Sequence, residues 1–110
     1  MIADYSRQFI KQFRKLDTKT QLKVKKHIAL FMKNPRAAKL RRHALTGEYS
    51  GHYSISAGGD LRLHFRYLSS DEVIFTAVGS HAQLYNKLLK TLTTHKYRQT
   101  DVRRHTSRLA

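Results

Sequence analysis

Four of the seven histidines in this 110-residue chain, His43, His52, His64 and His81, lie in its middle third, together with Asp60, Arg62 and Arg66. Alternation along Leu61–Tyr67 places Leu61, Leu63, Phe65 and Tyr67 on one side of a strand. Arg62, His64 and Arg66 fall on the other side, with Asp60 at the edge. In the preceding strand His52, Ser54 and Ser56 share that second, open face. His81 and Tyr85, four residues apart, share one side of a helix. Side chains of these types on one surface suit the cleavage of RNA by its own 2′-hydroxyl. One group removes the hydroxyl proton, another protonates the departing 5′-oxygen, and a guanidinium stabilises charge growing on the phosphate. The same residues also read as a solvated face with a histidine near a helix cap. Residue types alone therefore leave a small nuclease and a nucleic-acid-binding domain equally open. The chain has no cysteine and no His-Glu-x-x-His spacing, which argues against a zinc site, and no cofactor is expected.

The elements that must carry these groups follow from local pattern. Met1–Asp4 predicts a short strand, and Ser6 is a good N-cap for the helix behind it. Phe9, Ile10, Phe13 and Leu16 share one face of that helix, with Arg7, Lys11, Arg14 and Lys15 opposite. Asp17 and Thr18, with Gln21 in capping-box register to Thr18, open a second helix. Its buried stripe is Val24, Ile28, Phe31 and Met32; Lys19, Lys23, Lys26 and Lys33 line its outer side, and Asn34-Pro35 ends it. Period-two alternation then takes over through Tyr53 and Ile55. Gly58-Gly59-Asp60 predicts a hairpin turn into Leu61–Tyr67, and Ser69-Ser70-Asp71 a second turn into the apolar run Val73–Val78. Ser80 with Gln83 caps a last helix whose Leu84, Leu88, Leu89 and Leu92 face inward. The order β-α-α-β-β-β-α predicts an α+β domain, with a small, mainly antiparallel sheet packed on a helical hairpin.

Charge sharpens this division. The chain carries 22 Lys and Arg against 7 Asp and Glu, a formal charge of +15. Residues 1–42 hold 13 basic and 2 acidic side chains, whereas residues 43–81 hold 2 basic and 4 acidic ones. The excess therefore lies on the helical hairpin and in the basic tail, and a polyanion is the expected partner. No apolar run approaches the ~20 residues of a membrane span. The start of the chain has no signal-peptide core, so no membrane association is expected and a cytoplasmic location is.

Three segments together, LRRHALTGEYSGHYSI (Leu40–Ile55), GGDLRLHFR (Gly58–Arg66) and GSHAQLY (Gly79–Tyr85), resemble the YafQ-like branch of the RelE/ParE toxin superfamily. The similarity covers about residues 1–90, which sets a toxin domain at 1–93 and a basic C-terminal tail at 94–110. It implies a RelE-like fold and the toxin of a type II toxin–antitoxin pair, acting as a metal-independent, ribosome-dependent endoribonuclease on translated mRNA. The partners it implies are the ribosome, mRNA and a cognate antitoxin with an acidic segment. Carried over by position, His43, Asp60, Arg62, His81 and Tyr85 are the catalytic set. His64 and Arg66 stand in support, and Lys19, Lys23, Lys26, Lys33, Arg41 and Arg42 contact ribosomal RNA. The chain departs from the family pattern at Ser56, where a histidine is expected, and at Leu61, where an aromatic is. Within the same superfamily the alternatives are a ParE-like inhibitor of DNA gyrase and a non-catalytic RNA- or ribosome-binding module.

Overall fold

The computed structural model describes residues 1–47 and 50–84, together with the backbone of Val102–Arg103. In chain order the elements are strand β1 (Ile2–Ser6), helices α1 (Arg7–Arg14) and α2 (Thr18–Lys33), and a 3₁₀ turn (Ala38–Leu40). They continue with β2 (His43–Ala44), β3 (His52–Ser56), β4 (Leu61–Ser69), β5 (Glu72–Ser80) and β6 (Val102–Arg103). The strands form one sheet in the order β2-β3-β4-β5-β1-β6, with β1 and β5 parallel and all other neighbours antiparallel. The expected α+β order is found through β5; the last predicted helix is described only at residues 81–84, and Leu88, Leu89 and Leu92 lie outside the described residues. A two-residue β2 and a 3₁₀ turn, too short to leave a period, stand beside the predicted elements.

The helix starts show how local chemistry sets the frame. The Phe9 N–H donates to Ser6 Oγ at 3.0 Å, and that hydroxyl donates to the Thr76 carbonyl at 3.1 Å. One side chain thus caps α1 and ties it to β5. The expected Thr18–Gln21 box does not form. Asp17 is the cap, accepting the Thr20 N–H at 2.7 Å, while Gln21 Nε2 donates to the Phe13 carbonyl at 3.0 Å and holds the two helices together. The Thr20 hydrogen bonds hold the Asp17 carboxyl below its ordinary range.

The core lies between the helical hairpin and one face of the sheet. Phe9 and Phe13 of α1, Val24, Ile28 and Phe31 of α2, and Ile55, Leu63, Phe65, Val73, Phe75 and Val78 of the sheet are buried there. Aromatic rings dominate it. Phe31 and Phe65 meet at 4.7 Å between centroids, and Phe65 meets Phe75 at 5.6 Å. β5 keeps both Phe75 and Val78 in this core through a bulge. Phe65 pairs with Phe75 but His64 pairs with Ala77, leaving Thr76 as the extra residue. The register of β1 with β5 ends at Tyr5–Phe75, so the next backbone groups of β5 need other partners. Gln12 Oε1 accepts the Val78 N–H at 2.8 Å and supplies one.

Candidate active site on the second sheet face

Cross-strand partners share a face, so register alone assembles the second side of the sheet. His43 of β2 pairs with Ser54 of β3, Ser54 with His64 of β4, and His64 with Ala77 of β5. On either side of this row, Ser56–Arg62–Gly79 and His52–Arg66–Ile74 run parallel to it. His81 joins from the chain just beyond β5. Its N–H donates to the Asp60 carbonyl at 3.0 Å, binding the β3–β4 turn to the helical residues 81–84.

That face is not open throughout, as alternation alone suggests. His64 is only 7% exposed, and Ile74, Ala77, Ser54 and Asp4 are buried with it. Part of the cover is visible: a Cβ on Gly79 would lie 3.3 Å from Leu84 Cδ2 and 3.2 Å from Gln83 Oε1, so the last helical turn folds directly onto β5. The predicted Ser80–Gln83 box holds it there. Ser80 N–H donates to Gln83 Oε1 at 2.9 Å, and Gln83 N–H to Ser80 Oγ at 3.1 Å.

Burial has an electrostatic result. His64 is pushed down to about 4, first by loss of hydration and then by the charges of His52, His43 and His81 around it. It is therefore a neutral imidazole at the centre of the histidine cluster throughout the physiological range. His43 and His81 stand around it, exposed to solvent, and Asp60, joined to His81 through its carbonyl, is exposed as well.

The arginines divide by surroundings. Arg62 folds back on its own hairpin, donating from Nη1 to the Gly59 and Leu61 carbonyls at 2.9 and 3.0 Å. The turn that offers those carbonyls needs glycine at both central positions, with φ of 102° at Gly58 and 54° at Gly59. Arg42, grouped by sequence with the surface cations, is half-buried. It donates from Nη1 to Tyr67 Oη at 2.9 Å, and its guanidinium lies 5.7 Å from the centre of the Tyr53 ring. Neither contact is visible in a run of basic residues. Lys19, Lys23, Lys26, Lys33 and Arg41 are exposed as the pattern predicts. Tyr85 lies outside the described residues. Among the described residues, no cluster of three metal-ligating side chains forms, and no helix is long and apolar enough to cross a membrane.

The likeness to known proteins follows the same frame. A family model described as bacterial toxin of type II toxin–antitoxin system, YafQ, matches residues 1–86. No curated protein matches the chain. Among solved structures, the chain is similar to YafQ from E. coli at 24% identity and a TM-score of 0.65, over 76% of this chain and 96% of that one. It is similar to the E. coli DinJ–YafQ toxin–antitoxin complex at 26% identity and a TM-score of 0.60, over 76% and 94%. The RelB–RelE antitoxin–toxin complex from Methanococcus jannaschii shares the fold at 19% identity and a TM-score of 0.60, over 76% and 95%.

Proposed function

The chain belongs to the YafQ family, the bacterial toxins of type II toxin–antitoxin systems, and from that premise we propose that it is an endoribonuclease that enters the ribosome and cuts translated mRNA. The observation that carries this reading is the histidine cluster on the second sheet face, with Asp60 bonded through its carbonyl to the backbone of His81. A protein that acted by binding alone would have no use for exposed imidazoles packed around a neutral one.

In the reaction the 2′-oxygen attacks the adjacent phosphorus and the bond to the 5′-oxygen breaks, leaving a 2′,3′-cyclic phosphate and a free 5′-hydroxyl. His43 and His81 are the two proton-transfer groups, and Asp60 orients or tunes a histidine. Arg62, freed from its hairpin carbonyls, meets the charge growing on the phosphate, with Arg66 on the neighbouring row in support. Tyr85 packs against or hydrogen-bonds the substrate. Neutral His64 fills the floor between Ser54 and Ala77 without adding a charge of its own. The route needs no metal.

The outer face of α2, with Arg41, docks the toxin on ribosomal RNA through phosphate contacts that are steeply salt-dependent and indifferent to sequence. The antitoxin partner, supported by solved complexes of related toxins with DinJ and RelB, offers an acidic segment to the same basic surface. The toxin works in the cytoplasm, where its ribosomes are. Primer extension on mRNA in a translating extract tests the assignment. Native protein cuts, His81→Ala and Asp60→Ala are slowed by about 10²–10⁴-fold, and wild-type rates in those variants would refute it. Inhibition of DNA supercoiling without any cleavage would instead support the gyrase-binding alternative.

A further inference from the structure

The fold contains one non-glycine residue with a left-handed backbone among those described: Arg41, with φ 49° and ψ 44°, directly after the 3₁₀ turn. Such a conformation is unfavourable for a residue with a Cβ, and it persists only where its surroundings impose it. Here both neighbours are anchored. Leu40 is fully buried in the core, and Arg42 is held by Tyr67 and Tyr53. Arg41's own N–H closes the turn on the Ala38 carbonyl at 3.1 Å. The result of this enforced geometry is that the Arg41 carbonyl reaches the His43 ring, 3.2 Å from Nδ1.

A carbonyl oxygen can only accept, so the proton of a neutral His43 must sit on Nδ1. That leaves Nε2 with a free lone pair. His43 is exposed, and without this contact water would serve either tautomer. We propose that the Arg41–Arg42 turn is a positioning device that fixes the tautomer of His43, making its Nε2 the general base of the cleavage, while His81 supplies the proton to the leaving group. The base role rests on the nuclease reading above; the fixed tautomer does not. In the step, Nε2 takes the proton from the 2′-hydroxyl as the new bond to phosphorus forms. His81, entering as imidazolium, gives its proton to the 5′-oxygen as the old bond breaks. His43 leaves protonated and His81 neutral, and exchange with water resets both.

The molecule supplies an internal control. His27 Nδ1 lies 2.7 Å from the Lys23 carbonyl one turn back on α2, and holds the same tautomer for an unrelated reason. Long-range ¹H–¹⁵N spectra of the full chain near pH ~8, where imidazoles are neutral, should show Nδ1 protonated at both His27 and His43. Arg41→Gly and Arg41→Val lose the same guanidinium, but only glycine accepts the left-handed backbone freely. The ratio between them therefore reads the backbone alone. Arg41→Val is expected to lose the Nδ1–H tautomer at His43, not at His27, and to cut translated mRNA roughly tenfold or more slowly than Arg41→Gly. Tyr67→Phe removes only the oxygen that holds Arg42. It tests the same device should Arg41→Val fail to fold, with the expected result of a mixed tautomer at His43. An Nε2–H tautomer in the native protein, or equal spectra and rates for the glycine and valine variants, overturns the proposal. So does an unchanged His43 spectrum in Tyr67→Phe. A native protein with the expected spectrum that cuts no mRNA overturns the nuclease reading and the base role with it, but not the fixed tautomer.

Discussion

Strand β4 shows two solutions to the same geometry, one on each side. Leu63 and Phe65 face the helices and vanish into an aromatic core, where burial is favourable for every atom. Arg62, His64 and Arg66 face the other way, and there each residue meets a different environment. Arg62 lies on backbone carbonyls, His64 is buried among other imidazoles, and Arg66 is paired in register with His52. The core side needs only volume and apolarity. The site side depends on what covers each position, and alternation carries no information about that.

Substitutions that touch one side and not the other give the means to break this contrast. The largest effect is expected from Phe65→Ala, which removes a ring in contact with Phe31, Phe75 and Tyr53. It should cost about 3–5 kcal/mol in denaturant unfolding. Three residues back along the chain and on the opposite face, Arg62 should behave in the reverse manner. Arg62→Ala is expected to slow mRNA cleavage by about 10²–10³-fold while moving the unfolding midpoint little, and a large loss of stability with unchanged cleavage would contradict the division.

His64 belongs to both sides of the contrast, being polar yet buried, and its signature is pH. Its folded-state value of about 4 lies below that of an unfolded histidine, near 6.5, so between these limits the unfolded chain binds more protons. The stabilisation is complete above about pH 6.5 and is lost as pH falls towards 4, for a total on the order of 3 kcal/mol. Urea titrations across that range should show the decline in native protein and a flatter profile in His64→Gln. The smallest effect is expected on the outer surface of α2. Lys26→Ala should leave stability and chemistry alone and reduce the salt dependence of ribosome binding by about one phosphate contact.

What the sequence made legible follows the same contrast. The period-two strands, the amphipathic helices, the Ser6 cap and the Ser80–Gln83 box are all local, and all are found. Register then brought Ser54 and His64 into one row, as the alternation in β3 and β4 implied, and His43 joined it through β2, which alternation did not reveal. Three features were hidden because they depend on distant atoms. The burial of His64 depends on what is packed over the second face. The clamp on Arg42 depends on two tyrosines from β3 and β4, and in sequence Arg42 looks like one more cation. The bulge at Thr76 depends on which residues of β5 the helices select for the core. Gln21 is a milder case: the capping pattern was present, but Asp17 was the better acceptor and Gln21 found the end of α1 instead.

The pairing of the first strand with the last long one governs when the molecule can exist. β1 is made well before β5, yet it lies beside it, and Ser6 grips Thr76 across a separation of 70 positions. His81 likewise closes on Asp60 only after β5 is complete. Contacts so remote along the chain close loops before they return any stability, which slows folding. A polypeptide still being synthesised therefore carries the lysines of α2 long before it has a centre to its sheet. The ribosome making this protein meets a basic, incomplete chain, and the histidine face comes together only once β5 has been made.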